Sequence, residues 1–301
     1  MDDQRINEAA QILRQGGLVA FPTETVYGLG ADASNDRAVQ AIFRVKGRPE
    51  THPLIVHLYS VDQISDWAAS ASNAALDLGK KFWPGPLTLI LKKARKVSKA
   101  VTGGQETVGL RVPNHPVALA LLRAFGRGVA APSANRFGKV SPTSARHVRQ
   151  DLGEDVDFIL DGGTCDIGVE STIVDFSSGD PVILRPGGLT RERLEKALGR
   201  SIPIQGVGPV RVSGQLESHY APRALVVVVA PAEAKGRAAE LAAGGKRVVL
   251  LSKKDVEARK LYASLRRADG SGADVIVVPL PEETGLGLAV ADRLRKAAGK
   301  R

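Results

Sequence analysis

Apolar residues recur at Ile6, Ala9, Ala10 and Leu13, the spacing of one helix face, and the run stops at Gly16-Gly17. This predicts a first helix over about Ile6–Gln15. A strand over Leu18–Phe21 then leads into a polar loop, Thr23–Gly30. Asn35 or Asp36 is placed to cap a second helix running through Val45, which would deliver Lys46 and Arg48 at its C-terminal end. Short apolar runs predict further strands at Leu54–Leu58, Leu87–Leu91, Thr107–Val112, Gly128–Ala131, Asp157–Leu160, Ser171–Phe176 and Val182–Leu184. Helical spacing predicts helices near Val61–Ala69, Asn73–Phe82, Pro116–Phe125, Thr143–Leu152 and Thr190–Leu198. Strands and helices mix without strict alternation, so an α+β unit with a mixed sheet is expected.

The pattern breaks between residues 201 and 223, where Pro203, Gly206, Gly208, Pro209 and Gly214 forbid a long element. Beyond it, Leu225–Val229, Arg247–Leu251 and Val275–Val278 are continuous β-branched runs separated by helical stretches. They predict a small parallel sheet covered on both faces. The expected organisation is therefore a first domain over 1–200, a linker over 201–223 and a small Rossmann-like α/β domain over 224–301. No GxGxxG follows its first strand, and Gly285-Leu286-Gly287 lacks the rest of a dinucleotide fingerprint, so bound NAD is not expected.

Composition adds bounds. With 301 residues, 43% hydrophobic and 25% charged, a packed core is assured. The single Cys165 excludes an intrachain disulfide and Cys-based zinc or iron–sulfur sites, and is expected to be a structural thiol. No run is long enough to span a membrane, and Met1-Asp2-Asp3-Gln4-Arg5 lacks the basic start of a secretion signal, so a cytoplasmic protein is expected. A net charge of +10 favours phosphate-bearing partners, although the basic residues are scattered and aromatics are only 4%.

Candidate chemistry concentrates in two segments. Lys46-Gly47-Arg48-Pro49 supplies two fixed cations, and Ala131-Pro132-Ser133-Ala134-Asn135 supplies hydroxyl and amide donors bounded by turn formers. That is the inventory of an anion site, with phosphate the first expectation. In isolation Lys46 and Arg48 read first as a solvated helix end, His57 as a satisfied core histidine, and Ser141 or Ser171 as a helix cap or turn residue.

Taken with Phe21-Pro22-Thr23-Glu24-Thr25-Val26-Tyr27-Gly28, these segments resemble the YrdC-like family and its nucleotide-binding "KxR…SxN" signature. The likeness continues in order through Trp83-Pro84-Gly85-Pro86, Val108-Gly109-Leu110-Arg111, Gly168-Val169-Glu170-Ser171-Thr172 and Leu184-Arg185-Pro186-Gly187. His219-Tyr220-Ala221-Pro222 and the closing segment resemble the linker and C-terminal domain of the family's long, two-domain form. The resemblance implies a twisted open mixed sheet and an L-threonylcarbamoyladenylate synthase activity, feeding tRNA N6-threonylcarbamoyladenosine synthesis. Such a nucleotidyltransferase condenses L-threonine, bicarbonate and ATP into threonylcarbamoyl-AMP and pyrophosphate.

By the same resemblance, Lys46 and Arg48 are the expected catalytic cations. Thr23, His57, Arg111, Ala131 and Ser171 would surround threonine, with Arg111 on its carboxylate. Lys46, Arg48, His52, Thr107, Ser133, Asn135, Ser141, Arg185, His219 and Tyr220 would face nucleotide. His52 stands where the family commonly has Asn or Ser. Mg²⁺ is expected on the triphosphate, with no protein carboxylate cage. Glu24 and Glu170 read as bases, metal contacts or cap residues. The linker would fold over the cleft as a lid against water. Contact with tRNA or with downstream threonylcarbamoyl-transfer proteins is a further expectation. A competing class is a double-stranded-RNA or tRNA binding module without catalysis.

Overall fold

The computed structural model describes residues 3–205, 208, 210–214 and 219–299. Nine strands form one sheet among the described residues: β1 (Val19–Phe21), β2 (Gly28–Asp32), β3 (Ile55–His57), β4 (Leu87–Lys92), β5 (Thr107–Arg111), β6 (Val129–Ala130), β7 (Phe158–Ile159), β8 (Thr172–Asp175) and β9 (Val182–Arg185). Their order is β7-β1-β2-β6-β3-β5-β4-β8-β9. Pairings of both senses occur in it: β3 lies parallel to β5 and antiparallel to β6, and β4 lies parallel to β8 and antiparallel to β5. The sheet is mixed, as the irregular alternation of elements implies.

Local chemistry explains the helix that matters most. Helix Asp36–Lys46 starts at Asn35, whose side chain accepts from Arg37 N and Ala38 N, and buries Ala38, Val39, Ile42 and Phe43. It ends at Gly47, held at φ 63, while Arg48 N donates to Phe43 O. This is a Schellman closure, in which glycine takes the left-handed position without steric penalty.

One expectation needs correction. The sequence reads Thr23–Gly30 as a loop, yet Gly28–Asp32 is strand β2, paired with β1 so that Val19 faces Gly30. Glycines weaken the strand signal. Gly30 is required here, because a Cβ on it would stand 2.8 Å from both the Phe21 ring and Val129. A short helix, Lys99–Thr102, is likewise invisible to the hydrophobic pattern.

The second sheet is parallel throughout, in the order β10-β12-β11: β10 (Leu225–Val229), β11 (Val248–Leu250) and β12 (Val275–Pro279). Helix Ala234–Ala243 packs on one face through Ala234, Ala238 and Leu241. Helices Ala258–Gly270 and Leu286–Ala297 cover the other through Leu261, Leu265, Val290 and Leu294. That second core does not stop at the unit's edge: it includes Val26, Val140 and Val169 from the first unit and Tyr220 from the linker. The small unit is thereby seated against the loops of the large one. Among the described residues no helix is long and apolar enough to cross a membrane.

Candidate functional site

Three structural devices converge on one cleft. The first is the helix end at Gly47, which turns Lys46 inward and Arg48 toward the cleft. Lys46 is buried and donates through Nζ to the carbonyls of Ser133, at 2.6 Å, and Asn135. Burial, aided by the Arg48 charge, pulls this ammonium well below its ordinary value. Lys46 therefore fixes the 133–135 loop. Arg48 donates through Nη2 to Pro53 O at 3.1 Å and to Ser213 Oγ at 3.0 Å.

The second device is the pairing of β3 with β5, which sets His57 opposite Arg111 at the sheet's C-terminal edge. Arg111 pairs with Glu24 at 2.8 Å and donates to Thr25 Oγ1 at 2.9 Å. His57 is buried, and that burial, with the Arg111 charge, lowers its pKa to about 3. The imidazole is neutral at physiological pH. Thr23 shapes the loop that brings Thr25 and Glu24 here: its Oγ1 accepts from Thr25 N and Val26 N and donates to Val26 O at 2.6 Å.

The third device is the segment at the far edge of the sheet. Arg185, at the end of β9, forks onto Ser171 O through Nε and Nη2 at 3.1 and 2.9 Å, and onto Ser171 Oγ at 3.1 Å. Its Nη1 donates to Ser213 O at 3.0 Å. Ser171 also shares a hydrogen bond with Thr88 at 2.8 Å. Glu170 next to it receives Ser141 Oγ at 2.6 Å, Tyr262 OH at 2.8 Å and Arg293 Nε at 2.7 Å. Burial alone would raise the Glu170 carboxyl, but the charges of Arg293 and Arg185 hold it down to about 2.

Between these devices lies a cavity of about 50 Å³. Of the residues expected from sequence, Thr23, His57, Arg111, Ala131, Ser171, Arg48, Ser133, Arg185, His219 and Tyr220 line it. The others stand behind or beside it. Lys46 braces the loop. Asn135 donates through Nδ2 to Arg136 O and Lys139 O, Ser141 donates to Glu170, and the His52 ring abuts Phe137 at 5.4 Å. Thr107 begins β5 opposite Lys92. Cys165 is buried, and burial pushes its thiol up to about 12, which suits a structural role.

Sequence reasoning missed Ser213 and Gly214, which close the cavity from the linker, and Thr25, which orients Arg111. It gave no role to Tyr262 or Arg293. Thr25 was within reach of a reading of its polar run; nothing local distinguishes the other four.

The cavity is also where unspent hydrogen-bonding capacity gathers. Of the lining residues, Arg48 Nε, His57 Nδ1 and His219 Nδ1 are buried without partners; Glu24, between the lining residues Thr23 and Thr25 in the chain, has no aligned hydrogen bond to either oxygen despite its charge contact with Arg111. Buried polar atoms are satisfied almost everywhere in proteins. A cluster of orphans beside three arginines marks a place where a ligand carrying both an anionic group and hydrogen-bond donors would complete the set.

Known proteins resemble the chain over its whole length. A family described as "Telomere recombination" matches residues 11–187, and one described as "Threonylcarbamoyl-AMP synthase, C-terminal domain" matches residues 189–299. The threonylcarbamoyl-AMP synthase of Pyrococcus abyssi is 43% identical, covering 100% of this chain and 96% of that protein. The Bacillus subtilis protein of the same name is 42% identical, covering 100% and 94%. A solved structure of P. abyssi Sua5 complexed with L-threonine superposes with a TM-score of 0.94 at 44% identity, over 99% of this chain and 95% of that one.

Proposed function

The chain belongs to the threonylcarbamoyl-AMP synthase family, and from that premise we propose how its cavity divides the work between threonine and ATP. The enzyme is a nucleotidyltransferase that forms threonylcarbamoyl-AMP for tRNA threonylcarbamoyladenosine synthesis, with L-threonine and ATP as substrates. Its relatives give no support to a binding module without catalysis.

Arg111 takes the threonine carboxylate. It already faces a carboxylate, Glu24, and a hydroxyl, Thr25, and stands beside the neutral His57. Thr23, Ser171 and the backbone at Ala131 bound the same end of the cavity. Arg48 and Arg185 take the triphosphate, with Ser133 and His219 as neutral partners and Lys46 holding the Ser133 loop rigid. The threonine amine condenses with bicarbonate, a C–N bond forming as a bicarbonate C–O bond breaks and water leaves, and an oxygen of the resulting carbamate attacks the α-phosphorus of ATP. A carbamate O–P bond forms, the P–O bond to the β-phosphate breaks, and pyrophosphate leaves with the electron pair. An anionic nucleophile meeting an anionic phosphate needs cations and positioning, which is what the arginines supply.

Mg²⁺ travels with the triphosphate in this reading. The carboxylate lining the cavity, Glu170, is committed to Ser141, Tyr262 and Arg293, and the neighbouring Glu24 is paired with Arg111; among the described residues no three carboxylate, histidine or cysteine groups gather, so phosphate oxygens and water would be the ligands. Handover of the product to tRNA or to the transfer proteins that use it belongs to the same proposal.

The observation that carries this reading is the convergence of Arg48, Arg111 and Arg185 on one cavity lined with orphaned polar atoms. The test is pyrophosphate release from ATP with L-threonine, bicarbonate, both or neither. Release only when both are present supports it; equal release with ATP alone refutes it.

A further inference from the structure

The small C-terminal unit sends one charged side chain into the wall of the cleft, and the known reaction gives it no role. Arg293, on helix Leu286–Ala297, is 1% exposed, the largest of the fully buried side chains. Its Nε donates to Glu170 at 2.7 Å and its Nη1 to neighbouring Asp292, while Nη2 is buried without a hydrogen-bond partner. The guanidinium carbon sits 5.1 Å from the Tyr220 ring centroid, and Tyr220 stacks on Tyr262 at 5.8 Å. Tyr262, from helix Ala258–Gly270, completes the cage by donating to the same Glu170 oxygen.

We infer that Arg293 is a positioning residue for the reaction: by gripping Glu170 and the Tyr220 ring together, it fixes the Ser171–Arg185 wall and the linker wall of the cavity in register. Tyr220 is the one described non-glycine residue at positive φ, 61°, a conformation that persists only where surroundings over-determine it and that concentrates at ligand clamps. Glu170 precedes Ser171, whose carbonyl holds the Arg185 fork. Its backbone O accepts from Gly188 N at 2.9 Å, and a Cβ on Gly187 would stand 2.4 Å from that oxygen. Displacing Glu170 therefore displaces Ser171 and Arg185 with it. A buried ion pair between units is a poor source of stability, since its desolvation offsets its attraction and an apolar contact would seat the unit as well. Geometry, rather than stability, is what this pair supplies.

The inference rests on the reading of the cavity as the adenylylation site, so its test includes a measurement made without substrates. In full-length Arg293→Met, amide exchange at residues 168–172 and 219–222 should accelerate about tenfold or more in ligand-free protein. The kcat for pyrophosphate release should fall by about tenfold or more, and Arg293→Lys should restore part of that loss. The acid limb of kcat should also move to higher pH, because Glu170 then keeps only Arg185 on β9, Tyr262, Ser141 and the neutral His219 and Tyr220 around it, with Asp292 and Lys296 on the last helix.

Should Arg293→Met not fold, Tyr262→Phe removes a single donor to Glu170 and should lower kcat about threefold. Arg293→Met or Tyr262→Phe with parental kcat would overturn the inference, as would a lowered melting temperature with unaltered exchange at both segments. A parent enzyme that releases no pyrophosphate with both co-substrates would refute the functional reading instead, leaving the exchange result to judge Arg293.

Discussion

Arg48 donates through Nη2 to the hydroxyl of Ser213 at 3.0 Å, joining the end of the second helix to the linker across 165 residues of chain. The Ser213 carbonyl takes Arg185 as well. The linker thus occupies, with neutral oxygens, the two cations assigned to phosphate, and the cavity beneath it is only about 50 Å³. On that proposed assignment, ATP would displace Ser213 to reach them.

Ser213→Ala removes one of these competitors without touching the arginines. Apparent ATP affinity should rise by up to about fivefold, the equivalent of one hydrogen bond of about 1 kcal/mol. Arg48→Ala should act in the opposite direction, weakening ATP by about 2 kcal/mol or more. Calorimetric titration of both variants decides; ATP binding by Arg48→Ala at parental strength would remove the phosphate assignment.

Lys46 should behave differently from Arg48 despite sharing its motif. Lys46→Met leaves the Ser133 and Asn135 carbonyls buried without their donor, so unfolding free energy should drop by about 2 kcal/mol or more. Urea melts measure this directly. A melt identical to the parent, together with lost ATP binding, would show that Lys46 acts on nucleotide and not through the loop.

Arg111 needs a paired design, because removing it alone strands Glu24 in a buried site at a cost of about 3–5 kcal/mol. Arg111→Met combined with Glu24→Gln should stay folded and lose L-threonine binding by about tenfold or more while retaining ATP. Threonine titration at fixed nucleotide is the measurement. Retained threonine affinity would reassign the carboxylate site.

The two cleft histidines set an acid limit. His57 and His219 are both lowered to about 3 from 6.5, first by burial and then by nearby positive charge, with Glu170 partly opposing this at His219. Because their folded pKa values lie below the unfolded one, the unfolded chain binds more protons between the two values. Stability is complete above about pH 6.5 and falls as the pH drops toward 3, by roughly 1.4 kcal/mol per pH unit per histidine. Thermal melts between pH 8 and 5 should show this slope, reduced in His219→Gln. A flat profile in the parent would contradict neutral burial of both rings.

Much of this molecule follows from chain order alone. Asn35 and Gly47 bracket a helix because an amide side chain caps free N–H groups and glycine tolerates φ 63, so the position of Lys46 and Arg48 is local information. The β-branched runs at Leu225–Val229 and Val275–Pro279 likewise announce a parallel sheet buried on both faces. The polar residues of the cleft, from Thr23 to Arg185, were singled out by the family resemblance of the short motifs that carry them, since alone His57 reads as a core histidine and Ser171 as a turn residue.

Tertiary structure decided the rest. Whether Lys46 meets ligand or carbonyl depends on where residues 133–135 fold back, 87 and more positions away. Strand β2 was hidden because Gly30 is selected by the Phe21 and Val129 side chains it must clear, a steric demand absent from the local pattern. Ser213, Tyr262 and Arg293 carry no signal, since an ordinary serine, tyrosine or arginine becomes part of the cleft only when the linker and last helices are packed against Glu170 and Arg185. Side-chain chemistry is written residue by residue, whereas its desolvation and its partners are properties of the packed whole.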